Sequence, residues 1–368
     1  MLRLSASRCV RSLSKERECS RCELICPTEA IVVANKPLPS INFSACVGCG
    51  ACGSVCPNEA LSLDEFSSTD FFFEYIEDSQ NIISCKKNVP CIAALNIENI
   101  ISMAVVKKDI LFDMGYCDEC EIANKCKTQI EKNYEEASYV LEAMQSSSTI
   151  RLENLRYEKK EFDTEVSSKR REFLGKVNLN SLSKTKIEFE KEIQKATDEL
   201  IEHTLQKPDI ALLKHKTVPE RRKLFFTALK RVKKPSHYHI VEAGELTFTS
   251  MKLLDVDRCT ACQICYRVCP TAALTSDVKN SMIDFDPFMC IKCNICHDVC
   301  KPKAITLSPS YAVKEFFEPE VQNLINFNVR RCDECDMLFS TNTIDRLCHR
   351  CKAEDEEARE IWGITEDM

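Results

Sequence analysis

The stretch from Cys259 to Cys300 limits the possible folds more than any other part of the chain. It reads CTACQICYRVCP, a 19-residue spacer, then CIKCNICHDVCKP. Each half is a C-x2-C-x2-C-x3-C run, the first closing on Cys269-Pro270 and the second on Cys300-Lys301-Pro302. Iron–sulfur cores take soft thiolate ligands, and several thiolates at one point require cysteines on a tight loop. The short spacings supply three of them, and the fourth lies past a short helical turn. Paired runs of this kind are the bacterial signature of two [4Fe–4S] clusters, with the fourth cysteine of each run serving the other cluster. By that pattern Cys259, Cys262, Cys265 and Cys300 hold one cluster, while Cys290, Cys293, Cys296 and Cys269 hold the other. Proline after the fourth cysteine shapes the turn and blocks helix extension. Residues 246–256, 282–285 and 305–307 are expected as strands. A zinc module is the competing reading. Tyr266 and His297, inside the runs, are expected only to pack or to hydrogen-bond.

The pattern occurs a second time near the N-terminus. Cys46, Cys49, Cys52 and Cys56-Pro57 form the complete run CVGCGACGSVCP, which contains three of the chain's seven glycines. Gly48, Gly50 and Gly53 let backbone N–H groups turn toward sulfur. Upstream, ECSRCELICP supplies Cys19, Cys22 and Cys26-Pro27, but the leading position holds Glu16. Cys9, seven residues further upstream, is the free candidate for a displaced ligand reaching over a short loop. The same pattern then assigns Cys9, Cys19, Cys22 and Cys56 to one cluster, and Cys46, Cys49, Cys52 and Cys26 to the other. The competing reading is a first cluster that has three ligands or is absent. Residues 31–33 and 61–63 follow the two runs at matching offsets and are expected as short strands of a pseudo-twofold unit.

On these residues, CVGCGACGSVCPNEAL and CTACQICYRVCPTAAL resemble the bacterial two-cluster ferredoxin domain. The whole chain resembles a bacterial polyferredoxin, with two 2[4Fe–4S] ferredoxin domains and a zinc-ribbon-like tail. The ferredoxin motifs cover residues 9–63 and 259–307. The resemblance implies electron carriage between redox partner proteins, with no substrate chemistry. It suggests a formate dehydrogenase or hydrogenase complex as the kind of partner. The stretched first run departs from the family pattern.

Two cysteine groups remain. Cys85, Cys91, Cys117, Cys120 and Cys126 flank an apolar stretch, in which Ile97, Ile100, Ile101, Ala104 and Val105 recur at helical spacing and form a core face. Cys117-x2-Cys120 is a metal knuckle. An additional cluster, a zinc site, a redox-active thiol pair and a buried cysteine set all fit the spacing. At the C-terminal end, Cys332-x2-Cys335 and Cys348-x2-Cys351 face each other across twelve residues. Two such knuckles read as a closed tetrahedral zinc site that supplies stability the small tail lacks. Rubredoxin-type iron is the redox alternative, although the knuckles lack the usual flanking glycine. Arg330, Arg331, Arg346 and Arg350 form a basic cluster, but the adjacent EDEEARE favours a solvated surface over RNA binding.

Between residues 127 and 235 cysteine disappears and charge dominates. Ile130, Tyr134, Ala137, Leu141 and Met144 repeat at 4-3-4-3, and Phe189, Ile193, Ala196 and Leu200 keep the same rhythm. Breaks near 146–148 and 178–180 suggest three helices, packed on the chain itself in preference to a dimerising coiled coil. The basic stretch ERRKLFFTALKRVKK after Pro219 is expected as a solvated helix face. His237 and His239 share a strand face without further histidine nearby.

The expected fold class is α+β, with two small ferredoxin-like modules separated by a mostly helical insertion and followed by a metal ribbon. The divisions fall at 1–80, 81–126, 127–239, 240–310 and 311–368. The basic N-terminus raises a transit peptide, but Cys9 and Cys19 look like ligands, which a removed peptide would not supply. Reduced thiols at metal spacing point to the cytoplasm. No apolar run reaches the roughly 18 residues of a membrane span. Formal net charge is −7, and four cubanes with their thiolates add roughly −8. Nucleic acid is therefore not an expected partner, and a basic patch on a redox protein is. No nucleotide loop or flavin fingerprint is present, so the function expected is single-electron transfer through four [4Fe–4S] clusters. The alternative is an iron–sulfur oxidoreductase subunit with its own thiol or metal centre in residues 85–126.

Overall fold

The computed structural model describes residues 1–16, 18–34, 36–157, 187–195 and 216–362. Each cysteine run passes into a short helix: Arg21–Ile25, Ala51–Ser54, Ile264–Val268 and Ile295–Asp298. After the fourth cysteine each unit leaves as a strand, at Ile31–Val32, Leu61–Leu63, Leu274–Thr275 and Ile305–Leu307. The two modules pair these strands alike. Leu61–Leu63 lies antiparallel to Leu2–Leu4, and Ile305–Leu307 to Lys252–Leu254. Ile31–Val32 pairs with Ser40–Ile41, and Leu274–Thr275 with Met282–Phe285. In the second module Gln322–Asn326 adds a third strand beside Met282–Phe285. Only Lys252–Leu254 of the expected strand at 246–256 is extended. The residues before it are buried irregular backbone whose polar groups bond elsewhere; Thr249 Oγ1, for instance, donates to the Pro287 carbonyl at 3.1 Å.

Between the modules lies a parallel sheet, where the sequence suggests a cysteine-rich segment and helices. Asp109–Asp113 is its centre strand, flanked by Ile82–Ile83 and Thr149–Glu153. Parallel neighbours need crossover connections, and the helices Ile97–Lys107 and Ala123–Ala143 supply them. Asn96 caps the first, its Oδ1 accepting from the Asn99 N–H at 2.8 Å. Ile97, Ile100, Ile101, Ala104 and Val105 are all buried on that helix. Along Ala123–Ala143 and its C-cap, Ile130, Ala137, Leu141 and Met144 are buried, with Tyr134 packed at the core's edge. Their heptad rhythm serves packing within the chain. The helix runs through the expected division at 126/127 and returns the chain to Thr149–Glu153, so one sheet spans both expected segments. Of the second heptad set, Phe189 packs on Phe72 and Phe73, with ring centroids 5.6 and 5.5 Å away. Ala196 and Leu200 lie outside the described residues, as does the expected break at 178–180.

The basic helix Glu220–Lys230 is not a solvated face. Arg221, Arg222, Leu224, Phe225, Phe226 and Leu229 are buried on it. One apolar core runs through both modules and the parallel sheet, whereas Cys332, Cys348 and Cys351 form a separate small cluster with Phe339 and Leu347. That tail is a hairpin of Asn328–Arg331 with Leu338–Thr341, followed by the helix His349–Trp362. Among the described residues no helix is long and apolar enough to cross a membrane.

Candidate metal centres

The fold gathers sulfurs from different runs. Burial, and then the nearby thiols of Cys56, Cys19 and Cys9, push the Cys22 thiol up to about 12. Cys9 itself lies near Cys56 and Cys19. Burial likewise raises Cys52, around which stand Cys49, Cys22, Cys46 and Cys26. In the second module Cys259, Cys262, Cys265 and Cys300 line one cavity, and Cys269, Cys290, Cys293 and Cys296 line another. Burial pushes Cys296 up to about 12, against the lowering effect of Lys252. Thiols crowded and buried in this way resist ionising together, so four of them become thiolates only around a cationic core. A soft, all-sulfur donor set of this kind fits an iron–sulfur group.

Backbone donors repeat with the same regularity. The N–H groups of Ala30, Ala60 and Ala304 each donate to the fourth cysteine of a run (Cys26, Cys56 and Cys300) at 3.2 Å. Leu274 does the same to Cys269 at 3.5 Å. A left-handed residue precedes each donor by one or two positions: Glu29 (φ 54°), Glu59 (φ 51°), Lys303 (φ 52°) and Ala272 (φ 59°). Such bonds favour the more negative, reduced form of a cluster and so tune its potential. Beside the second module's sulfurs, His297 accepts at Nε2 from Lys252 Nζ at 2.8 Å, and burial holds this imidazole down to about 4, hence neutral. Tyr266 donates from its hydroxyl to Asn280 Oδ1 at 2.7 Å.

A buried charge cluster fastens the modules together. Glu98, on the core helix Ile97–Lys107, pairs with Arg222 Nε at 2.5 Å and Arg221 Nε at 3.0 Å. Arg221 reaches carbonyls of the first module, at Gly53, Ser54 and Cys56. Arg222 reaches carbonyls of the second, at Phe248, Phe288 and Cys290. Two adjacent residues on one helix therefore hold the cysteine loops of both modules. Elsewhere along the joint, Arg21 Nη2 donates to the Lys292 carbonyl at 2.6 Å, and the Glu18 N–H to Asp298 Oδ2 at 3.2 Å. Arg21 adjoins Cys22 and Lys292 adjoins Cys293, so this contact joins one cysteine run of each module. Sequence reasoning missed the clamp, because adjacent arginines in a basic stretch read as solvated. The available signal was Glu98, the single carboxylate of the helix Ile97–Lys107.

The five cysteines of residues 85–126 divide in two ways. Cys85 and Cys117 both have Cys91 and Cys120 as charged neighbours. Cys126, buried in the first turn of Ala123–Ala143, instead has Cys91 and Cys49 of the first module as its thiol neighbours. Interaction with Cys126 lowers the Cys49 and Cys91 thiols.

The tail is different in scale. The sulfurs of Cys332, Cys335, Cys348 and Cys351 all lie within 4.8 Å of one another, and among the described residues they are the one candidate set so tight. The Cys335–Cys348 separation of 3.7 Å fits the edge of about 3.8 Å for a tetrahedron with 2.3 Å zinc–sulfur bonds. The Cys348 N–H donates to Cys332 Sγ at 3.2 Å and the Cys351 N–H to Cys348 Sγ at 3.5 Å. The neighbouring arginines are engaged locally, Arg331 with Asp336 at 3.1 Å and Arg350 with Glu354 at 2.8 Å.

Comparison with known proteins agrees with this chemistry. The 4Fe-4S binding domain family matches residues 39–62, and the 4Fe-4S dicluster domain family matches residues 251–301. A curated relative, pyruvate synthase subunit PorD of Thermotoga maritima, is 38% identical over 53 residues, which is 14% of this chain and 54% of the relative. The chain thus spans about half the length of the curated relative it matches. No solved structure matches. Two stretches of this chain, within a fold of mixed helices and strands, are thus similar to 4Fe-4S binding domains of the ferredoxin type.

Proposed function

We propose that this chain is the electron-transfer subunit of an oxidoreductase complex and carries four [4Fe–4S] clusters in its two ferredoxin modules. The ligands are Cys9, Cys19, Cys22 and Cys56; Cys26, Cys46, Cys49 and Cys52; Cys259, Cys262, Cys265 and Cys300; and Cys269, Cys290, Cys293 and Cys296. When bound, such clusters take up and release single electrons at potentials set by their protein surroundings. The chain's own residues hold the sulfurs, exclude water and aim N–H donors at Cys26, Cys56, Cys269 and Cys300. The observation that carries this reading is the grouping of each fourth cysteine with the other run, as with Cys56 beside Cys9, Cys19 and Cys22. The Arg221–Glu98–Arg222 clamp supports a fixed spacing between the modules, which electron transfer requires.

The relative's printed name supports a pyruvate synthase-type complex as the setting, in place of the formate dehydrogenase or hydrogenase complex that the sequence resemblance suggests. All 25 cysteines are free, in keeping with a reducing, cytoplasmic compartment. Cys332, Cys335, Cys348 and Cys351 are assigned to a structural zinc ion on their tight spacing. The test is anaerobic purification followed by dithionite. A brown protein that bleaches, is reoxidised by a one-electron acceptor, and shows no substrate turnover without a partner is expected. Colourless protein, or turnover by the chain alone, would overturn the assignment.

A further inference from the structure

Residues 85–126 lie outside both matched families, yet the fold prepares their cysteines with care. Ile83 pairs with Phe112 across the parallel sheet. Neighbouring strands run about 4.8 Å apart, so the loops leaving them bring Cys85 and Cys117 to the same sheet end. Asp113, fully buried at that end, ties the loops of all three strands. Its carboxylate accepts from Ser84 Oγ at 3.0 Å, from the Gly115 N–H at 3.0 Å, and from the N–H groups of Leu155, Arg156 and Tyr157 at 3.1, 3.1 and 2.9 Å. Ser84 adjoins Cys85, and Gly115 is two residues before Cys117. Cys91 enters from the turn Ile92–Ala94, and the Cys120 N–H closes the Cys117 turn on the Cys117 carbonyl at 3.3 Å.

From this geometry we infer that Cys85, Cys91, Cys117 and Cys120 hold a fifth iron–sulfur cubane, and that Cys126 is a thiol link between it and the Cys49 quartet. The inference rests on the reading that this chain loads iron–sulfur clusters. Among the described residues, no three of these sulfurs lie within 4.8 Å of one another, unlike the tail quartet. A single tetrahedral zinc ion, with sulfur–sulfur edges of about 3.8 Å, would draw them closer. Among the described residues the four ferredoxin quartets likewise fall outside that 4.8 Å limit. Cys126 has a different place. It is buried in the first turn of Ala123–Ala143, with Cys49 and Cys91 as its thiol neighbours. The residue before it, Lys125, donates from Nζ to the Cys26 carbonyl at 2.8 Å, which fixes this end of the helix against the first module's ligand loops. A second route of proximity runs along the surface, where Cys46 and Cys85 line the same cleft beside Lys86 and Lys87. Cys120 is exposed and Cys85, Cys91 and Cys117 are half-buried. The fifth centre thus lies at the protein's edge, where a partner can reach it.

The test uses the full chain, expressed and purified without oxygen, with iron, acid-labile sulfide and zinc counted per chain. Five cubanes require about 20 iron and about 20 sulfide. Cys117→Ser/Cys120→Ser is expected to fall to about 16 of each, and Cys126→Ser to stay at about 20. Cys120→Ser alone, at an exposed position that leaves the core intact, is expected to cut visible absorbance by about a fifth, one cubane in five. A double variant with unchanged iron, or one that loses only zinc, overturns the fifth centre. Loss of about four iron in Cys126→Ser overturns the role given to that thiol. Wild type at about 16 iron, matched by the double variant, removes the fifth centre and leaves the four-cluster reading standing. Wild type without iron removes both.

Discussion

In the second module, the residues two and four places after each leading cysteine are Ala261 and Gln263, then Lys292 and Asn294, and all four have positive φ. In the first module the same places in the complete run are Gly48 and Gly50, also with positive φ. Its incomplete run has Ser20 at the equivalent of the second place, with φ −131°, and Cys9, on a separate loop, lies near Cys19 and Cys56. The backbone shape is therefore imposed by wrapping cysteines around a common centre, whatever the residue's own preference. Non-glycine residues in that region cost about 1–2 kcal/mol each, and the second module tolerates four of them. Glycine is needed only where crowding forbids a side chain. A Cβ on Gly50 would stand 2.8 Å from Ala94 Cβ and 3.2 Å from Leu63 Cδ1, whereas one on Gly48 would meet nothing within 4 Å. The crowding at Gly50 comes from Ala94, which belongs to the Cys85–Cys126 segment. The neighbour therefore presses on the complete run of the first module, where only glycine fits, while the run without a leading cysteine departs from the common backbone shape at Ser20.

The sharpest way to break this comparison is to separate the modules. Glu98→Gln leaves Arg221 and Arg222 buried without a counter-charge, and breaking a buried pair in this way costs about 3–5 kcal/mol. Anaerobic denaturant unfolding should show both modules losing stability together. An unchanged midpoint, or a loss confined to one module, would show that the clamp does not join them. A smaller effect compares the two glycines. Gly50→Ala combines a left-handed alanine with a clash, for about 2–3 kcal/mol. Gly48→Ala carries only the backbone term, about 1–2 kcal/mol. Equal losses in the same unfolding assay would contradict the crowding by Ala94.

The cysteine runs and the strands after them were legible because ligand spacing is a local property of the chain. So was the buried face of Ile97–Lys107, since its period is unambiguous. The parallel sheet was not legible. Ile82–Ile83 is too short to show a period, and the buried run DILFD reads equally as helix or strand. The heptad after Cys126 was read correctly as helical, but nothing local says that a strand at Thr149–Glu153 follows it into a sheet. Arg221 and Arg222 were placed in solvent because charge usually lies there. Their burial depends on Glu98, more than a hundred residues earlier in the chain. The division of five cysteines into four plus one was likewise out of reach, because it depends on which sulfur faces Cys49 after folding.

The most direct test of cross-run ligation compares Cys9→Ala, Cys56→Ala and the double variant by anaerobic iron and sulfide counts. If both sulfurs serve one cubane, each single variant and the double all lose about four iron. A double variant that loses about eight, or a Cys9→Ala protein that keeps its full iron, contradicts shared ligation.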